Sequence, residues 1–212
     1  MKKISFITLM LLAVTSMSFA QTITGTPHDM SAQAWNTMAS NKLCGVCHTP
    51  HNAMAVSQAP LWSHTTSSTV YTMYTSAQSS TFNATPGAAP GGNSLLCLSC
   101  HDGTVALNNH IGNTLPLGST LGVAYPTTTT LVGAALTNDH PISFTYDAAL
   151  VTADGALRPI TTAALGGTIA TKMLFGGKME CASCHNPHNN QYTSFQRMTN
   201  NASQLCLTCH IK

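Results

Sequence analysis

Large apolar residues enter this chain in two ways. From Ile4 to about Met17 they form a dense run behind Lys2 and Lys3, closed by the small-x-small step Ser18-Phe19-Ala20. That pattern predicts a secretory signal peptide over residues 1–20, cut before Gln21. Beyond it they are scattered among Thr, Ala, Ser, Asn and Gly, as in "TTTT" at 127–130 and "GAAPGGNS" at 87–94, and no later run reaches transmembrane length. Two kinds of segment keep a period. "SLLCLSCH" (94–101) and "SQLCLTCH" (203–210) put Leu and Cys on one helical face behind a serine, predicting short helices capped by Ser94 and Ser203. "ISFTY" alternates and predicts a strand over 142–146. The rest of the cysteine-free stretch, about 115–175, is aperiodic and expected to be an irregular wrap.

Composition sharpens the problem. Only 7% of residues are charged, and without Lys2 and Lys3 the chain carries six Lys/Arg against six Asp/Glu. No electrostatic basis exists for binding nucleic acid or anionic membrane. The side chains also offer little material for a conventional core, so apolar bulk must come from elsewhere.

The cysteines name the source. All eight lie in four C-x-x-C-H units: Cys44, Cys47, His48; Cys97, Cys100, His101; Cys181, Cys184, His185; and Cys206, Cys209, His210. This is the attachment signature of haem c. Two thiols one turn apart can add to the two vinyl groups of a porphyrin, and the next histidine then lies under the iron. Competing readings explain less. A disulfide framework needs no histidine after every second cysteine, a four-thiolate zinc site leaves the histidines idle, and a thioredoxin-like motif occurs once, beside a βαβ unit absent here. The expected cofactor is four covalently bound haem c groups, whose rings supply the missing bulk.

The units also repeat in order. "CGVCHTPHN" (44–52) and "CASCHNPHN" (181–189) each precede one of the leucine-rich units, so a two-haem module is duplicated. Residues 21–212 are read as one tetrahaem domain: module one about 28–110, a cysteine-free wrap about 111–178, and module two about 179–212. Pro50 and Pro187 stop helix from running past the haem histidine.

These motifs, with "TPHDMS", "LCLSCHDGTVAL" and "NDHPISFTYD", resemble the doubled-CxxCH family of exported multihaem cytochromes c. Within it the chain is most similar to the tetrahaem surface cytochromes of OmcE type, which polymerise into conductive extracellular filaments. The resemblance implies a mostly irregular chain wrapped around a haem stack, a few short α-helices at the motifs, minimal β-structure, and electron transfer.

Six histidines lie outside the motif positions: His28, His51, His64, His110, His140 and His188. His51 and His188 follow a haem histidine by three residues and cannot reach the far face of the same iron, so each must serve a different haem. The expected distal set is His28, His51, His140 and His188, with His64 in reserve and His110 behind it. His140 is chosen partly because the family pattern implies a ligand there. No methionine is singled out, and Trp35, Trp62, Tyr71, Tyr74 and Tyr192 are expected to pack on haems or an interface.

The expected function is electron transport by an exported protein, extracellular, on the cell surface or in the periplasm. It would exchange electrons with redox partner proteins or extracellular acceptors and self-polymerise, without membrane insertion. The alternatives are a periplasmic monomeric carrier and a multihaem reductase with one open iron. A reductase needs acid/base groups near that iron, and Asp29, Asp102, Asp139, Asp147, Asp154 and Glu180 include no pair at catalytic spacing. No catalytic residue is assigned.

Overall fold

The computed structural model describes residues 23–38, 42–56, 58–112 and 131–211. The proposed signal peptide, residues 1–20, lies outside the described residues, as do residues 115–130 of the cysteine-free stretch. Among the described residues the chain is largely irregular, and no helix is long and apolar enough to cross a membrane.

The longest element among the described residues is helix α1, Gly92–His101, which carries the second haem motif. It starts earlier than its sequence indicates. Gly91 occupies the N-cap, and Ser94 is a fully buried helical residue whose hydroxyl is engaged by Glu180. Glycine at 91 and 92 lets the chain enter the helix without a side-chain cap. Ser203 does precede the last helix, α4 (Gln204–Leu207), but at φ 62° and with no capping hydrogen bond.

The predicted strand shrinks to β1, Phe144–Thr145, because Ser143 sits at φ 59° and breaks the extended run. β1 pairs antiparallel with β4, Lys178–Met179, with Phe144 opposite Met179. Between them lies more order than an irregular wrap. Helix α2, Ala148–Asp154, is capped by Asp147, whose Oδ1 accepts from the Leu150 N–H at 2.9 Å. It ends at Gly155, φ 73°, whose N–H returns to Val151. Strands β2, Ala163–Ala164, and β3, Gly167–Thr168, form a hairpin turning through Leu165 and Gly166, both at positive φ. A π-helical turn follows at Ile169–Met173.

This region holds the main apolar cluster: Phe144, Tyr146, Leu150, Ile169, Met173 and Met179, joined by Leu205 and Cys209 of module two. A smaller cluster of Tyr71, Met73, Leu98 and Leu136 sits against α1. The chain therefore has side-chain cores of its own beside the haem motifs. The third motif starts as helix α3, Cys181–Cys184, which ends before Pro187.

Candidate haem-attachment sites

Each motif closes as one turn. The His48 N–H donates to the Cys44 carbonyl at 2.8 Å, His185 to Cys181 at 3.0 Å and His210 to Cys206 at 3.0 Å. Both thiols of each motif are thereby brought to one side.

A second backbone segment then clamps the motif. His48 is bridged antiparallel to Trp62, His185 to Gln196 and His210 to Leu157. The next residue of each clamp donates to the second cysteine: Ser63 to the Cys47 carbonyl (2.9 Å), Arg197 to Cys184 (2.9 Å) and Arg158 to Cys209 (2.8 Å). In the two x-P-H units the clamp also holds the imidazole. His48 Nδ1 lies 2.9 Å from the Pro60 carbonyl, and His185 Nδ1 2.8 Å from that of Ser194. A carbonyl only accepts, so each ring donates from Nδ1 and keeps its Nε2 lone pair free for a metal. The sequence carries no mark of the clamps. They act through backbone atoms, and "PLWS" shares no residue pattern with "SFQR".

Three motif histidines face another imidazole. His48 and His188 have ring centroids 6.1 Å apart, His101 and His28 6.2 Å, and His210 and His140 6.3 Å. Imidazole nitrogen binds a first-row metal at about 2 Å, and about 1 Å more separates nitrogen from ring centre. Two rings sharing one ion from opposite sides would therefore stand about 6 Å apart. Between His140 and His210 lies a cavity of about 250 Å³ walled by Phe82, Phe144, Tyr146 and Met179, with Cys209 at its side. An apolar aromatic wall, a thiol and two opposed imidazoles fit haem c. Among the described residues no three or more His, Cys, Asp or Glu side chains gather to hold a bare metal ion.

Burial, aided by the neighbouring His101, pulls His28 below the ordinary imidazole pKa; burial and His48 do the same for His188. Both are held neutral, the form that ligates. His28 also stacks on Phe195 of the third motif's clamp at 4.4 Å. Burial raises the Cys47 and Cys209 thiols to about 11.

The remaining histidines are placed differently. His51 is exposed, as His140 and His188 are, and among the described residues only its carbonyl is engaged, accepting from the Thr49 hydroxyl. His185 is exposed too. His64 and His110 are buried and adjacent across a β-bridge, and the His64 nitrogens lie 2.9 Å from the Thr65 carbonyl and 3.1 Å from that of Ala106. Asp102, beside His101, accepts from Ser67, Tyr71 and Thr104. Trp62 meets His48 edge-on, and Tyr74 packs on Phe82.

Residues 175–212 match the family model described as the doubled CXXCH motif. That segment contains both motifs of module two. The match supports a relationship to the doubled-CXXCH multihaem cytochromes, and with it covalently bound haem c and electron transfer. No curated protein matches the chain.

Proposed function

We propose that the chain is an exported tetrahaem c-type cytochrome that passes electrons along bis-histidine centres. The three facing imidazole pairs carry this reading. When bound, haem iron takes up and releases one electron. The chain's part is to hold and tune each site. Cys44 and Cys47, Cys97 and Cys100, Cys181 and Cys184, and Cys206 and Cys209 attach the four groups. His48, His101, His185 and His210 would each hold an iron, and His188, His28 and His140 would supply a second imidazole to the first, second and fourth. Clamp carbonyls fix the His48 and His185 tautomers. Apolar side chains form part of the wall of the fourth site.

Among the described residues neither His185 nor His51 faces another imidazole, so the third site lacks a second ring and His51 lacks a site. His51 of one subunit supplies the ligand to the His185 centre of the next, giving a head-to-tail filament on the cell surface that delivers electrons to redox partners or extracellular acceptors. A heterologous contact of this kind propagates without closing. The test is an absorption spectrum of purified protein with and without carbon monoxide, beside electron microscopy of wild type and His51→Ala. Low-spin spectra indifferent to carbon monoxide, with filaments lost in the variant, support the proposal. A wild-type centre that binds carbon monoxide points to a reductase, and a six-coordinate wild-type monomer to a soluble carrier.

A further inference from the structure

Glu180 is the most buried acidic residue among the described residues, at 2% exposure. The ligand scheme gives it no task. Its Oε2 accepts from the Ser94 hydroxyl and, at 2.9 Å, from the Ser143 hydroxyl, while Oε1 has no partner. Both serines relay the grip. Ser94 Oγ accepts from the Cys181 N–H at 2.9 Å, and Ser143 Oγ from the Gly91 N–H at 3.1 Å. One carboxylate thus fastens the start of α1, which carries the second haem motif, to the start of α3, which carries the third.

Stability alone explains this poorly. An unpaired buried acceptor is costly, and Ser143 is held at φ 59°, a left-handed conformation that strains a non-glycine residue. What the arrangement secures is an approach of two attachment helices: the Cys181 N–H at the start of α3 is held by Ser94 of α1, joining the attachment points of two modules.

We propose that Glu180 is a positioning residue for electron transfer between the second and third centres, holding α3 against α1 through Ser94 and Ser143. This rests on the tetrahaem reading above. The step it serves moves one electron between the iron on His101 and the iron on His185, with no bond made or broken; one is oxidised as the other is reduced.

The test is low-temperature electron paramagnetic resonance of the oxidised holoprotein, with haem counted by mass. Wild type should show a magnetically coupled haem pair. Glu180→Ala and Ser94→Ala should keep four low-spin haems but resolve that coupled signal into two independent ones. Glu180→Gln, which still accepts from both serines, should restore it, and Asp154→Ala should leave it unchanged. Should Glu180→Ala fail to fold, Ser94→Ala decides alone. Coupling intact in Ser94→Ala, or in both variants, overturns the role of Glu180 with four haems still in place. A wild type without four haems overturns the functional reading instead, and this inference with it.

Discussion

His48 and His188 face each other with centroids 6.1 Å apart and rings only 19° from parallel, although one closes the first motif of module one and the other trails the first motif of module two. The x-P-H turn of the second module therefore reaches into the first. His28 ties the modules in the reverse sense, facing His101 while stacked on Phe195. The two modules interlock through their imidazoles.

His188→Ala, His28→Ala and His140→Ala should each turn one low-spin haem into a high-spin one that binds carbon monoxide. His110→Ala, outside the facing pairs, should leave every centre low-spin. Optical and paramagnetic resonance spectra of the four variants check this.

Acid should loosen the fold through His28 and His188. Their folded pKa values lie below the ordinary 6.5, so the unfolded chain binds protons that the folded chain refuses. Their contribution to stability is present in full above about pH 6.5 and is lost as pH falls below it. Chemical denaturation midpoints of the haem-free chain should hold between pH 7 and 8 and drop by pH 5, and the drop should shrink in a His28→Gln, His188→Gln double variant.

Ile169 has no exposed surface and lies at the centre of the larger apolar cluster. Ile169→Ala should destabilise the protein by about 2–5 kcal/mol. Denaturant titration of the holoprotein measures this, and an unchanged haem count would show that the cluster supports the fold without attaching cofactor.

Tyr71 donates to the buried Asp102 carboxylate next to His101. Tyr71→Phe removes a hydrogen bond to a charged group and should cost about 1.5–3 kcal/mol. The same denaturant titration checks it.

The cysteine motifs were legible because their chemistry is local: five consecutive positions specify the attachment. The expected shortage of regular structure was legible as well. Which imidazole faces which motif was not, because His188 meets His48 only after two distant segments fold together. The clamps left no residue signature, since Pro60, Ser63, Ser194 and Arg197 contribute backbone groups. Ser94 read as a cap because serine before a leucine face usually is one; the buried Glu180 takes its hydroxyl instead. The cysteine-free stretch looked featureless because its large residues are sparse, yet Tyr146, Leu150, Ile169 and Met173 all turn to one side.

The intact mass of the purified mature protein, measured under reducing and denaturing conditions, tests the central claim most directly. The account predicts the mass of residues 21–212 plus four haems, with peptide mapping placing one on each cysteine pair. The mass of the bare polypeptide, or haem released on denaturation, would contradict it.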